Sequence, residues 1–440
     1  MQKIKRNKMQ KKLNIISLGC SKNLVDSENL STQIKNGGWQ VEFDNYNSDA
    51  RTVVINTCGF IHDAKEESIN TILSFISAKK EKKIDNVYVM GCLSERYKKD
   101  LETEIPEVDT YFGVNNIPDI LAKLKIDYKK ELIGERNIST PSHYAYLKIS
   151  EGCDRKCSFC AIPLIRGKHV SLPIEILKKQ AENLAKQGVK ELILIAQDLS
   201  SYGFDSYKEY KLAELLEELV KVEGIEWIRL HYIYPANFPE KVIEVMKKEP
   251  KICKYIDIPV QHASTKVLKN MRRGHTKEST LALITKFKAE IPEIVIRTTV
   301  LVGFPGEEQA DFEELKQFVA EVKFDRLGVF TYSEEEGTYG AKKFEDTINQ
   351  EIKQQRADQI MALQQTISLD LNYARIGKTL KVIIDRKENN HYIGRSQFDS
   401  PEVDNEIIIE NSLVELNIGN FYNVKILKAE DFDLFGEVNK

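Results

Sequence analysis

At 440 residues the chain exceeds what one hydrophobic core usually supports, so two or three domains are expected. Charged residues make up 30% of it at a net charge of −3, which excludes a general polyanion binder and confines any RNA contact to a local surface. Seven scattered cysteines exclude a secreted disulfide framework, no apolar run reaches the ~18 residues of a membrane span, and the N-terminus lacks a signal-peptide apolar stretch. A cytoplasmic protein is the expectation.

Lys3, Lys5, Arg6, Lys8, Lys11 and Lys12 form a basic start, read as a solvated end in preference to an RNA-contacting arm. In the first domain, residues 11–128, apolar runs at 13–18, 52–56 and 86–90 alternate with helix-like stretches and predict parallel strands of an open α/β sheet. Each run ends in a cysteine beside a glycine: Cys20 with Gly19, Cys58 with Gly59, Cys92 with Gly91. Ligands bind at the carboxyl edge of such a sheet, so three sequence-distant thiols are expected to converge there. The alternative is packing, because free cysteine is a common core residue. Asp26 or Ser27 is expected to cap the helix running to Gly37-Gly38, and Asp63 the one beginning at Ala64.

A polar connection at 135–143 leads to an apolar run at 144–149 and then to Glu151-Gly152-Cys153-Asp154-Arg155-Lys156-Cys157-Ser158-Phe159-Cys160. The C-x3-C-x2-C spacing makes a short claw that places three thiolates on three corners of an iron–sulfur cube and leaves the fourth iron without a protein ligand. A structural zinc is the rival, against which no fourth Cys or His follows at zinc spacing. Further strands are predicted at 191–196, 227–233, 255–260, 295–302 and 326–331, with helices such as 173–187 and 311–322 between them. Six β/α units in residues 139–370 fall short of eight and predict an open, partial TIM-like barrel. Cys253 reads as a small core residue, and His62, His231 and His262 as structural histidines.

The claw resembles that of the radical S-adenosylmethionine (SAM) superfamily. The resemblance implies that the open iron chelates SAM and that one electron cleaves it to a 5′-deoxyadenosyl radical. Candidates for the SAM pocket follow at strand ends: Gln197 and Asp198 for ribose or amino group, against strand-end capping; Gly303, Phe304, Pro305 and Gly306, where glycine permits a turn close to adenine, against an ordinary turn. Phe159 is a candidate to flank adenine, against pinning the loop to the barrel. Arg297 is a candidate for the SAM carboxylate, against an arginine paired inside the barrel. The first domain is similar to the methylthiotransferase N-terminal domain through Ile16-Ser-Leu-Gly-Cys20, Lys22-Asn-Leu-Val-Asp-Ser-Glu28, Asn56-Thr-Cys-Gly-Phe-Ile61 and Gly91-Cys92. There Cys20, Cys58 and Cys92 would hold a second [4Fe–4S] cluster. Ser21 stands where the family often has proline, and Glu308 where a Gly-Phe-Pro-Gly-Glu-Thr segment has threonine. Segments 259–264 and 269–274 also match the family, without an assigned role.

After a helix-like stretch at 350–371, alternating runs at 379–384, 392–396, 406–410 and 422–427 predict a small all-β barrel over residues 372–440. It resembles the OB-like TRAM domain, which binds RNA in tRNA-modifying relatives. From Tyr373 onward nine Lys/Arg stand against twelve Asp/Glu, a balance of −3 where RNA tracking needs a basic face. Asp431-Phe-Asp-Leu-Phe-Gly436 reads as an acidic, aromatic patch suited to a basic protein. The resemblance spans nearly the whole chain and is nearest to the methylthiotransferase branch that modifies the β-carbon of an aspartate in small-subunit ribosomal protein twelve. It implies two clusters, SAM, a sulfur donor and a reductant protein. The rivals are a tRNA-adenosine methylthiotransferase and a non-catalytic iron–sulfur protein that binds ribosomes.

Overall fold

The computed structural model describes residues 11–132, 134–410 and 415–438. Most of the basic start, Lys3 to Lys8, lies outside the described residues. The chain divides into two units, one running to Ser139 and taking in Ile162–Gly167, the other comprising Thr140–Ala161 and Lys168–Lys440.

In the first unit, strands β1 (Lys12–Ser17), β2 (Gln40–Phe43), β3 (Thr52–Thr57), β4 (Asn86–Gly91) and β5 (Thr110–Tyr111) are all parallel, in the order β2-β1-β3-β4-β5. Near-continuous apolar runs suit strands covered on both faces, and every residue of β3 is buried. Alternate side chains feed two apolar clusters. Ile16, Val53, Ile55, Val87 and Val89 meet Ile72, Phe75 and Ile76 of helix α2 (His62–Lys80) and Leu93 and Leu101 of α3 (Cys92–Glu104). Leu13, Ile15, Val54 and Met90 meet Leu30 and Ile34 of α1 (Ser21–Asn36) and Ile120 and Leu121 of α4 (Ile117–Lys123). Each fully buried aliphatic side chain is worth about 1.5–3 kcal/mol. Strand order reverses between β1 and β3, so a crevice opens at the carboxyl ends of these two strands.

The expected caps are corrected here. Helix α1 starts at Ser21, immediately after Cys20, so Asp26 and Ser27 lie within the helix. Ile61, without a side-chain cap bond, is the N-cap of α2, and Asp63 lies in its first turn, where a carboxylate still suits the helix dipole. Both helices begin earlier than expected because the connections from the strands are short, three residues from β1 to α1 and four from β3 to α2.

The second unit carries β6 (Tyr144–Lys148), a two-stranded antiparallel ribbon of β7 (Ser150–Glu151) and β8 (Val170–Ser171), then β9 (Glu191–Ile195), β10 (Trp227–Leu230), β11 (Ile252–Asp257), β12 (Val295–Val302) and β13 (Arg326–Thr331). Six of these form one parallel sheet in the order β13-β12-β11-β10-β9-β6, the run of neighbours expected of a partial barrel. Helices Ile174–Lys186, Leu212–Leu219, Lys241–Lys248, Lys277–Glu290 and Gln309–Val322 alternate with the strands. A long helix, Gln350–Tyr373, leads into β14 (Thr379–Glu388), β15 (His391–Ser396), β16 (Glu406–Ile409), β17 (Phe421–Ala429) and β18 (Asp433–Val438). These five close into a barrel in the order β14-β15-β16-β18-β17. The segment read as an acidic patch is therefore largely a strand: β18 pairs with β16 and β17 and buries Leu434.

This small barrel packs against the amino-terminal ends of the parallel strands. Trp227, Cys253, Tyr255 and Val295 form one apolar cluster with Ile383 and Phe398, and the Trp227 ring meets Phe421 edge-on at 4.7 Å. Buried ion pairs lie alongside: Glu191 with Arg229 at 2.8 Å and Arg395 at 2.5 Å, and Arg326 with Asp399 at 2.5 Å. The carboxyl ends of the same strands remain for the claw. Among the described residues no helix is long and apolar enough to cross a membrane.

Candidate metal centres

In the first unit the three cysteines follow three neighbouring strands: Cys20 three residues beyond the end of β1, after the Gly19 turn, Cys58 just after β3, and Cys92 at the first position of α3 after β4. Adjacent strands lie about 4.8 Å apart, which sets the spacing of the three ends. The glycines beside the cysteines allow the ends to close up. A Cβ on Gly19 would lie 2.6 Å from the Cys58 Cβ, one on Gly59 2.6 Å from the Leu93 Cα, and one on Gly91 2.5 Å from the Thr57 carbonyl oxygen. Gly19 and Gly91 also take φ of +88° and +102°, a region that side-chain-bearing residues rarely enter. Cys58 and Cys92 are buried and Cys20 is exposed.

A polar frame surrounds these thiols. Asn23 donates to the carbonyls of Leu18 at 2.9 Å and Thr57 at 3.1 Å, tying the ends of β1 and β3 to α1. Asn56 donates to the Asn23 carbonyl at 2.8 Å and to the Ser27 hydroxyl at 2.9 Å. Arg166, from helix α5 (Ile162–Ile165) and its end, donates to Asn23 Oδ1 at 2.6 Å and to Asp26 at 3.1 Å. Burial pushes the Cys92 thiol up to about 12 and raises that of Cys58, while the Arg166 guanidinium pulls both back. A bound metal would deprotonate such thiols outright.

In the second unit the claw loop runs between β7 and β8, beyond the carboxyl end of β6. Its middle is clamped by the backbone: Ser158 donates to the Met271 carbonyl at 2.9 Å, and its own carbonyl accepts from the Gly340 amide at 2.6 Å. A Cβ on Gly340 would lie 2.9 Å from that carbonyl oxygen. Arg155 donates to Asp198 at 2.9 Å, and its amide to the Cys153 sulfur at 3.4 Å. Gln197 donates to Glu151 at 2.9 Å. Burial pushes the Cys153 thiol up to about 11, with the Arg155 amide opposing. Gln197 and Asp198 thus reach the claw. Asp198 also caps the turn at Leu199–Ser201.

Gly303 and Gly306 adopt φ of +75° and +84°, and the Glu307 carboxylate accepts from the amides of Gly303 at 2.6 Å and Phe304 at 3.2 Å, shaping the turn. Arg356 holds that carboxylate at 2.8 Å, while burial pushes the Glu307 carboxyl up to about 7. Phe304 is fully buried in a cluster with Val267, Met271, Leu301 and Tyr332, against which Phe159 packs, the loop-pinning geometry. Glu308 forms a capping box at the start of Gln309–Val322. Arg297 stands early in β12, its guanidinium 3.3 Å from both Asp257 and Asp404, so it is an arginine paired on the side of the small barrel. His262 accepts from the Ser264 amide at 2.9 Å, a structural role.

Among the described residues no three His, Cys, Asp or Glu side chains crowd one point as ligands of a single ion would. Thiolates on a cube attach to different irons, so the fit rests on the donor set. Each set is three free cysteines, clustered in sequence in the claw and brought by neighbouring strands in the first unit. Sequence reasoning missed Asn23, Arg155, Arg166 and Arg273. Arg155 stood inside the claw, and Arg273 in a segment already marked.

Three family models match the chain: the Radical SAM superfamily over residues 147–319, the uncharacterized protein family UPF0004 over 12–113, and the TRAM domain over 376–438. Similar curated proteins carry the name ribosomal protein uS12 methylthiotransferase RimO. That of Christiangramia forsetii is 57% identical over 434 residues, spanning 98% of this chain and 96% of the relative. That of Cytophaga hutchinsonii is 56% identical over 429 residues, 98% of each. Among solved structures, the radical SAM methyltransferase TsrM of Kitasatospora setae, with cobalamin and a [4Fe–4S] cluster bound, aligns at a TM-score of 0.57 and 14% identity, covering 76% of this chain and 77% of that one, which shows the fold. The claw at the strand ends, the three matched domains and identity above one half along nearly the whole length lead to one conclusion: the chain belongs to the RimO family of radical SAM methylthiotransferases, enzymes of iron–sulfur and SAM chemistry.

Proposed function

We propose that this chain methylthiolates the β-carbon of an aspartate in ribosomal protein uS12, with two [4Fe–4S] clusters, one on Cys153, Cys157 and Cys160 and one on Cys20, Cys58 and Cys92. The observation that carries the reading is the pair of cysteine triads, each at the carboxyl ends of parallel strands. When bound, the claw cluster with SAM supplies a hydrogen-abstracting radical and the other cluster supplies sulfur. The protein's own part is to hold, orient and keep dry. Ser158, clamped between Met271 and Gly340, fixes the claw, and Gln197, Asp198 and the Gly303–Gly306 turn line the strand ends where SAM would lie. A cytoplasmic setting, a reductant protein and a sulfur donor follow from this chemistry. Modification of tRNA is disfavoured by the −3 balance of the small barrel.

Iron analysis tests the assignment: the intact protein should hold about eight irons, and alanine at either triad should leave about four. A variant lacking Cys20, Cys58 and Cys92 should still release 5′-deoxyadenosine on reduction but transfer no methylthio group. Full iron in either triple variant would sink the reading, as would preferential methylthiolation of tRNA by the intact enzyme.

A further inference from the structure

Seven arginines are buried, and six of them meet a carboxylate: Arg136 with Glu28, Arg166 with Asp26, Arg229 and Arg395 with Glu191, Arg326 with Asp399, and Arg356 with Glu307. Arg273 is different. It is 6% exposed and, among the described residues, pairs with no carboxylate. Its Nη1 donates to the Cys157 sulfur at 3.4 Å and its Nη2 to the Pro259 carbonyl at 2.6 Å. Its guanidinium lies 4.3 Å from the centre of the Tyr234 ring, and the Tyr234 hydroxyl donates to the Arg273 carbonyl. A guanidinium is always charged, and burying it without a counter-charge is strongly unfavourable. The anion this one faces is the thiolate position of the claw.

We infer that Arg273 is the counter-ion of the claw cluster, a positioning residue whose N–H···S bond orients Cys157 and raises the cluster's reduction potential. The inference rests on the assignment of Cys153, Cys157 and Cys160 as cluster ligands. Hydrogen bonds to cluster sulfurs and nearby positive charge both favour the reduced form, which carries one more electron. The backbone explains how the arginine is aimed. Met271 is bonded to Ser158 of the claw, and Arg272 takes a left-handed φ of +56°, so the next side chain turns inward while Arg272 itself stays exposed, 4.5 Å over the Tyr339 ring.

The test is a redox titration followed by electron paramagnetic resonance in the full chain carrying alanine at Cys20, Cys58 and Cys92, which isolates the claw cluster. Arg273→Met keeps bulk and removes charge and donor. It should lower the reduced-to-oxidised ratio at fixed potential about tenfold, a shift of about 59 mV to more negative potential for one electron. Arg273→Lys should fall between, and carries the test if the methionine variant fails to load iron. Arg272→Met, an exposed neighbour of equal charge, should leave the potential in place. An unmoved potential in the iron-loaded Arg273 variants overturns the inference, as does an equal shift from Arg272→Met, which would make the effect one of long-range charge. A parent that holds no iron instead rejects the claw assignment itself.

Discussion

Gly91→Ala isolates the steric requirement of the first cysteine triad. Gly91 ends β4 at φ +102° and ψ −162°, a combination reserved almost entirely for glycine, so alanine there carries about 1–3 kcal/mol of backbone strain. The new methyl would also lie 2.4 Å from Asn56 Oδ1, 2.5 Å from the Thr57 oxygen and 2.7 Å from the Thr57 nitrogen. None of these gives way freely, because Thr57 is strand backbone and Asn56 is held by Asn23 and Ser27. Relief requires moving the end of β3 that carries Cys58, an overpacking penalty of about 1–3 kcal/mol more. The whole loss is then about 2–6 kcal/mol. Gly38→Ala supplies the comparison: φ is +81° but nothing lies within 4 Å, so only strain of about 1–2 kcal/mol applies. Because a chain of two units need not unfold in one step, the assay is amide hydrogen exchange of β1, β3 and β4 in the iron-free protein, joined to iron content after loading. Gly91→Ala should speed exchange about fivefold or more beyond Gly38→Ala and lose the iron of that triad. Equal exchange in the two variants, with full iron in both, would refute the close-approach argument.

The second unit should lose stability in acid through His262. Burial pushes this imidazole down to about 3, against about 6.5 unfolded, so the unfolded state binds the extra proton and the His262 contribution falls as pH drops from about 6.5 towards 3. His262→Asn should flatten the dependence of unfolding free energy on pH between 6.5 and 5 by up to about 1.4 kcal/mol per pH unit, and an unchanged slope in urea titrations would contradict it. Charge reversal at Glu430 and Asp431 should slow modification of a cationic ribosomal-protein substrate, most at 0.01 M salt where the Debye length is about 30 Å, and leave SAM cleavage alone. Asp433 is omitted from that test because its carboxylate accepts from the Glu406 amide at 3.4 Å across the β16/β18 pairing; an effect independent of salt would count against steering.

What could be read from the residues, and what could not, follows from which contacts are local. Cys20, Cys58 and Cys92 were visible because a parallel sheet forces the ends of neighbouring strands together, and a glycine beside each thiol marks where the backbone must come close. The claw was visible because its spacing is local chemistry. Edge strands β2 and β5 were missed since β2 is only half-buried and β5 is two residues long, leaving little apolar pattern to find. Strand β18 was read as an acidic patch because its clearest inward residue is Leu434, in a strand that also carries Asp433, Gly436 and Glu437. The arginines escaped for another reason. Nothing in the side chain of Arg273 or Arg297 distinguishes one that will face a thiol from one that will face Asp257 and Asp404; the register of β12 and the left-handed turn at Arg272 decide it. A guanidinium costs too much to bury alone, so its partner is dictated by whichever anion the fold brings within reach. Side chains that a motif fixes by spacing can therefore be found in the sequence, whereas the charges that lie beside them become legible only when the turns that aim them are known.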